Sequence, residues 1–189
     1  SQNGGVRAEF TVFRIHAERF YLVGMGSMER HDFDILSKLR PRDGSVDLNL
    51  VTTQYGVLVL AGPRSREVLQ SLTDADLSNK AFPWLSAKQI EIGYARMLAM
   101  RVNYVGELGW ELHVPMEQMV PIYDALWEAG KEFDVRDFGM YAMDSLRLEK
   151  VYRGWKGDMT HEYTPLMASL DRFVDFQKPA FRGLDALVK

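Results

Sequence analysis

Hydrophobic and polar residues alternate along several stretches of this 189-residue chain, and a two-residue period is typical of strands with one buried face. The clearest stretch covers residues 101–115, where Gly106 and Gly109 punctuate a predicted strand, tight turn and strand. The apolar residues that share one face of the second strand are Leu108, Trp110, Leu112 and Val114. Glu111 lies on the opposite face, where a carboxylate meets either water or a ligand.

Further strands and helices follow from the same periodicities. Strands are predicted at 9–15, 20–24, 46–52, 55–61, 87–92 and 95–104. The nearly unbroken apolar run at 55–61 favours a buried strand that Gly62-Pro63 ends. Helices are predicted at 28–39, 65–72, 117–129 and 138–151, with Ser27 and Asp137 as N-caps and one more helical turn at 73–76. We therefore expect an α+β fold, ferredoxin-like, with antiparallel sheets and helices on one face.

Two of these helices carry residues that bear on function. In the helix at 117–129 the residues predicted to face inward are Val120, Tyr123, Ala125, Leu126 and Trp127. Tyr123 and Trp127 are interpreted as core residues rather than ligand contacts, because they stand four residues apart on one helix face. In the helix at 138–151, Arg147 is interpreted as part of a solvated edge, with Asp144 as its ion-pair partner.

Composition narrows the class of protein. Hydrophobic residues make up 47% of the chain, enough for one sizeable core or for two small cores that share an interface. The sub-domains predicted for the chain are residues 1–54 and 55–189. The net charge of −3 and the lack of a Lys/Arg run do not favour nucleic acid as a partner. No apolar stretch approaches the roughly 20 residues that a membrane helix needs. The chain has no cysteine, and its four histidines lack metal-ligand spacing, so no metal site is predicted.

Five segments of the chain carry a resemblance to one family. They are 4–12, 57–63, 72–78, 104–112 and 138–150. The fourth resembles the signature Tyr-x-Gly-Glu-x-Gly-x-Glu of the folate-binding aminomethyltransferase family, with Tyr104 first and Glu111 last. That family includes the T-protein of the glycine cleavage system and the C-terminal region of dimethylglycine and sarcosine dehydrogenases. The fifth segment, with Trp155 and the Thr-Pro-Leu at 164–166, looks most like the dehydrogenase branch.

The resemblance implies an activity and a ligand. Residues 1–189 would form part of the family's folate-binding domain, without its N-terminal segment and its C-terminal barrel. The ligand would be tetrahydrofolate, which captures a one-carbon unit from an N-methyl amine of the dimethylglycine or sarcosine type as 5,10-methylenetetrahydrofolate. FAD would belong to a separate flavin oxidoreductase domain or subunit. The implied compartment is the bacterial cytoplasm or the mitochondrial matrix.

The same resemblance implies roles for four residues. Glu111 would bind the pterin edge, where one carboxylate accepts both the N3–H and the 2-amino group. Tyr104, seven residues earlier, would stack on or hydrogen-bond the ligand. Glu9 lies in the first of the five segments, which begins with Gly4-Gly5, and it would be the catalytic acid–base residue near the folate nitrogens. Arg147 is kept as a ligand-binding residue, with the structural ion pair as its alternative.

Two departures from the family pattern keep other functions open. The family has Asp where this chain has Glu9, and a displacement of about 1 Å near reacting atoms can lower a rate about a hundredfold. T-proteins carry Arg where this chain has Met143, so that residue's role does not transfer. A non-catalytic folate-binding or regulatory module, a family member using another methyl donor, and a fold kept for interaction only are the alternatives.

Overall fold

The computed structural model describes residues 1–188, and the chain divides into two compact units. The first unit contains residues 1–12 and 21–48 and the described residues from Val151 onward. The second contains residues 13–20 and 49–150. Of the four residues with a predicted role, Glu9 belongs to the first unit, whereas Tyr104, Glu111 and Arg147 belong to the second.

The predicted hairpin near the start of the chain is present. β1 (Thr11–His16) and β2 (Arg19–Val23) form a two-stranded sheet. In the first unit, α1 (Glu29–Leu39) follows a 3₁₀ turn at Gly26–Met28. The prediction of Ser27 as N-cap is wrong, because this turn includes Ser27 and leaves Met28 at the cap position without a side-chain hydrogen bond.

A four-stranded antiparallel sheet forms the centre of the second unit, and its strand order is β3-β6-β5-β4. The strands are β3 (Tyr55–Ala61), β4 (Ala87–Ile92), β5 (Ala95–Met100) and β6 (Gly109–Pro115). The helices are α2 (Ser65–Gln70), α3 (Met119–Gly130) and α4 (Met140–Glu149), and α5 (Leu184–Leu187) belongs to the first unit. Both α2 and α3 contact β6. The predicted α+β class with antiparallel sheets is confirmed.

The core of the second unit fills the space between the sheet and the helices α2 and α3. Trp110, Leu112 and Val114 are fully buried in it, so the predicted core face of β6 is confirmed. The Trp110 ring meets Phe82 edge to face, with ring centroids 6.2 Å apart. Because side chains alternate along a strand, the other face of β6 is left to Glu111 and His113.

Three predicted elements differ from the structure. Residues 46–52 contain no strand, and Thr52–Gln54 is a short 3₁₀ turn instead. Residues 73–76 form no helical turn, because the Thr73 hydroxyl accepts a hydrogen bond from the Ala75 N–H within a loop. β3 has the predicted bounds but lies at the sheet edge, so it is not a buried strand.

Both predicted N-caps fail, and the inward face of α3 is shifted. Gly139, not Asp137, occupies the cap position of α4, because α4 begins only at Met140. In α3 the buried residues are Ile122, Leu126 and Gly130, while Val120 is exposed.

Within residues 1–188, no helix combines the length and apolar character needed to span a membrane.

Candidate functional site

A cavity of about 470 Å³ opens beside the edge strand β3 in the second unit. Strands β3 and β6, helix α3 and the segment that leads into α4 all contribute to its wall. The lining residues that matter most for chemistry are Val57, Val59, Tyr104, Glu111, Tyr123 and Trp127. This volume lies within the range of small-molecule sites, which combine an apolar wall with a few polar groups.

Glu111 supplies a carboxylate to this mostly apolar wall. In the sheet it is paired with Val59 on one side and with Met100 on the other. Its side chain is 21% exposed, and the Nε2 atom of the buried His113 lies 3.7 Å from its Oε2 atom. That separation exceeds a hydrogen bond, so the carboxylate oxygens keep acceptor capacity for a donor that enters the cavity.

The loop between β5 and β6 brings Tyr104 to the cavity. The side-chain Oδ1 atom of Asn103 accepts hydrogen bonds from the backbone N–H groups of Val105 and Gly106, each at 3.0 Å. The Asn103 amide also donates to the Glu107 carbonyl oxygen at 2.8 Å. The prediction of a tight turn is therefore wrong: β5 ends at Met100, and Asn103 organises a longer loop. An Asn that bonds its own neighbouring backbone is the sequence signal that could have indicated this.

Gly106 and Gly109, the two glycines of the motif, are needed for different structural reasons. Gly106 has φ of +73°, a backbone conformation that side chains disfavour. At Gly109 an added Cβ would lie 2.5 Å from the Leu60 carbonyl oxygen, because β3 and β6 approach closely there. Between them, Glu107 is half exposed and forms an ion pair with Lys150 at 3.3 Å. The glycines thus fix the loop and the start of the strand that carries Glu111.

Arg147 lies behind Tyr104 and is not among the residues that line the cavity. Its guanidinium carbon is 5.9 Å from the centre of the Tyr104 ring, and its Nη2 atom is 2.6 Å from the Asp144 carboxylate. The predicted ion pair with Asp144 is confirmed. The interpretation of Arg147 as a solvated helix edge is wrong, because only 6% of the residue is exposed.

Tyr123 and Trp127 line the cavity and do not belong to the core cluster, which corrects the sequence interpretation. Their rings are stacked, with centroids 6.1 Å apart and planes inclined by 18°. The Tyr123 hydroxyl donates a hydrogen bond of 2.8 Å to the Asp137 carboxylate, and this bond raises the pKa of Tyr123. Helical spacing placed both residues on one face but did not reveal what that face meets.

Glu9 stands in the segment before β1, in the first unit. Glu9 is an exposed residue by its accessible surface, but partial burial of its carboxyl still raises the pKa of this group above the ordinary value of 4.5. A raised pKa brings the neutral and ionised forms closer in population near neutral pH, which suits a group that exchanges protons. Within residues 1–188, no cluster of His, Asp or Glu side chains is arranged to hold a metal ion.

The second unit thus combines an α+β fold with a cavity of the size that small molecules occupy. A family profile described as "GCVT N-terminal domain" matches residues 1–178, and the chain belongs to this family. The family expected from the sequence is thereby confirmed.

Several known proteins are similar to this chain in sequence. The chain is 41% identical to human mitochondrial dimethylglycine dehydrogenase over 186 residues, 97% of this chain and 22% of the human protein. It is 34% identical to human mitochondrial sarcosine dehydrogenase over 202 residues, 99% of this chain and 22% of that protein. An aminomethyltransferase of Thermoanaerobacter sp. (strain X514) is 32% identical over 189 residues, 99% of this chain and 50% of that enzyme. The chain thus spans about a fifth of the two dehydrogenases and half of the transferase.

One solved structure has a similar fold. It is the heterotetrameric sarcosine oxidase from Corynebacterium sp. U-96 in complex with pyrrole 2-carboxylate, with a TM-score of 0.57 and 20% sequence identity. The match covers 72% of this chain and 66% of the sarcosine oxidase chain. At this identity the likeness concerns the fold alone.

Proposed function

We propose that the cavity of the second unit binds tetrahydrofolate, with Glu111 accepting hydrogen bonds from N3–H and the 2-amino group of the pterin. The observation that supports this most is the Glu111 carboxylate, which lines the cavity between Val59 and Met100. A carboxylate in apolar surroundings gains most from a ligand that presents two adjacent donors, because such charge-assisted pairs are strong and directional.

The other lining residues fit such a ligand. Tyr104, Tyr123 and Trp127 offer aromatic faces to planar rings, and Val57 and Val59 offer apolar surface. Arg147 holds Tyr104 from behind, so we assign it the role of a positioning residue rather than a direct ligand contact. This arrangement suits a flat, partly aromatic molecule with one polar edge, which is the chemical character of a reduced folate.

We further propose that the domain serves one-carbon transfer from an N-methyl amine of the dimethylglycine or sarcosine type. Bound tetrahydrofolate would supply the nitrogens that accept the one-carbon unit, giving 5,10-methylenetetrahydrofolate. Glu9 would be the acid–base group of this transfer, a role that its raised pKa supports. The flavin chemistry that releases the one-carbon unit would belong to a separate domain or subunit.

Calorimetric titration with 5-formyltetrahydrofolate, a stable reduced folate, tests the binding site. We expect a dissociation constant near the micromolar range, equivalent to about −8 kcal/mol. Glu111→Ala should weaken binding at least about a hundredfold, because it removes a charged partner of two hydrogen bonds. Glu91→Ala is the matched control, because Glu91 is an exposed residue on β4 and does not line this cavity. Equal affinities for both variants would contradict the proposed site.

The non-catalytic alternative is motivated by Glu9, which replaces the family's Asp. Glu9→Gln should leave the affinity for 5-formyltetrahydrofolate within about twofold but lower the rate of formaldehyde capture by tetrahydrofolate on the protein about tenfold or more. An unchanged rate would exclude Glu9 as the acid–base group. A protein that binds the ligand but does not accelerate capture even with Glu9 present would be a folate-binding module.

A further inference from the structure

We propose that the stacked pair of Tyr123 and Trp127 is the surface on which the second ring of the folate, the p-aminobenzoyl ring, packs. This inference rests on the proposed function, because it assumes that Glu111 binds the pterin, which is the first ring system of the folate. The inference also predicts ligand specificity, since the cavity would bind a ligand with two ring systems more tightly than the pterin alone. No motif of the sequence assigns a role to either aromatic residue.

The geometry of the pair supports a binding surface. Tyr123 and Trp127 are four residues apart on α3, which places their rings side by side along the helix. The rings are nearly parallel, inclined by 18°. The hydrogen bond from the Tyr123 hydroxyl to Asp137, another lining residue, holds the pair against the segment that precedes α4. A rigid aromatic surface loses little conformational entropy when a ligand ring stacks on it.

The remaining wall gives this surface an apolar counterpart. Val57 and Val59 on β3 line the same cavity and are 46% and 45% exposed. In the sheet, Val59 is paired with Glu111 and Val57 with His113, so both valines lie on the face of the sheet that carries the Glu111 carboxylate. Apolar side chains that share an exposed concave surface with aromatic rings mark a place that an apolar group fills. The p-aminobenzoyl ring is the apolar planar part of a folate that remains once the pterin edge meets Glu111.

The test compares two ligands on three forms of the protein. The ligands are 5-formyltetrahydrofolate and 5-formyl-6-methyltetrahydropterin, which lacks the p-aminobenzoylglutamate. The proteins are the unaltered chain, Trp127→Leu and Glu111→Ala, each titrated by calorimetry. We expect Trp127→Leu to weaken the folate about tenfold and to leave the pterin within about twofold, because only the folate reaches the stacked pair. Glu111→Ala should weaken both ligands.

Each other outcome overturns a defined part of the account. If Trp127→Leu weakens both ligands equally, Trp127 only maintains the cavity and does not contact the second ring. If it weakens neither while Glu111→Ala still abolishes binding, this inference fails and the proposed function stands. If the unaltered protein binds neither ligand, the proposed function and this inference fail together.

A fluorescence titration provides a readout that does not depend on the stability of the leucine variant. The folate should quench tryptophan emission in the unaltered protein and in Trp84→Phe, because Trp84 is 68% exposed and does not line the cavity. Trp127→Phe keeps an aromatic ring and should lose most of this quenching. Retained quenching in Trp127→Phe would contradict contact between the folate and Trp127.

Discussion

The guanidinium carbon of Arg147 lies 5.9 Å from the centre of the Tyr104 ring, and the two residues come from different parts of the second unit. Tyr104 belongs to the loop after β5, whereas Arg147 belongs to α4. The contact therefore connects the β5–β6 loop to α4. Tyr104 lines the cavity, whereas the buried Arg147 contacts the Tyr104 ring and does not line the cavity. A buried cation thereby contributes to the shape of the candidate site without lining it.

Replacement of Arg147 by Met tests this supporting role. Met keeps most of the aliphatic length but removes the cation–π contact and the ion pair with Asp144, so the free energy of unfolding should fall by about 1–2 kcal/mol. The affinity for 5-formyltetrahydrofolate should fall by less than about tenfold, because Tyr104 is loosened but still present. Urea denaturation and calorimetry measure the two effects, with the exposed Arg96→Met as control. A large loss of affinity at unchanged stability would instead identify Arg147 as a direct ligand contact.

Gly109→Ala tests the close approach of β3 and β6. The new Cβ would lie 2.5 Å from the Leu60 carbonyl oxygen and 2.9 Å from the Ala61 Cα, and neither backbone atom moves cheaply. We expect the free energy of unfolding to fall by about 1–3 kcal/mol, measured by urea denaturation. Gly26→Ala is the matched control, because no atom lies within 4 Å of its added Cβ. If Gly109→Ala is as stable as this control, β3 and β6 accommodate the added Cβ without a loss of stability, which would contradict this prediction.

Glu9→Gln should change stability in a pH-dependent way. Burial raises the pKa of Glu9 in the folded protein above 4.5, so the folded state binds this proton more tightly than the unfolded state. The stabilising contribution of protonated Glu9 is therefore complete below pH 4.5 and is lost as the pH rises through the raised pKa. Gln resembles the neutral acid at every pH. The melting temperature of the variant should equal that of the parent near about pH 4 and exceed it near about pH 7.5; a pH-independent difference would contradict this.

Trp110→Ala tests the assignment of the core face of β6. Trp110 is fully buried and packs edge to face on Phe82, so the truncation should lower the free energy of unfolding by about 3–5 kcal/mol. Trp84→Ala, at an exposed position, should change it by less than about 0.5 kcal/mol. Denaturant titrations followed by circular dichroism compare the two. Similar losses in both variants would mean that the pattern of β6 does not identify its buried face.

The fold was predictable where local signals were complete. β3 was predicted with its observed bounds, because an apolar run ends at Gly62-Pro63 and both residues interrupt a strand. The buried face of β6 followed from strict alternation alone. Residues 46–52 alternate as well, yet they form no strand. A period of two describes how side chains divide between two faces, but a strand also needs a neighbour for its backbone hydrogen bonds.

The candidate site was predictable only in part, for a similar reason. The motif pointed to Glu111 and Tyr104, and both line one cavity. Tyr123 and Trp127 have the spacing of a helix face, which is the same for a core contact and for a cavity wall. Arg147 has the sequence context of an exposed helix edge, yet it is buried and contacts Tyr104, a residue distant in sequence. Such contacts between elements leave no local pattern in the sequence.

The most direct test of the central claim removes one hydrogen-bond donor from the ligand. A 5-formyltetrahydrofolate analogue without the 2-amino group is titrated against the unaltered protein and against Glu111→Ala. We predict that loss of the amino group weakens binding to the unaltered protein by about tenfold to a hundredfold, since a hydrogen bond to a charged group contributes about 1.5–3 kcal/mol. In Glu111→Ala the same change should have little further effect, because the acceptor is already gone. An equal loss in both proteins would contradict the account, since it would show that Glu111 does not bind the pterin edge.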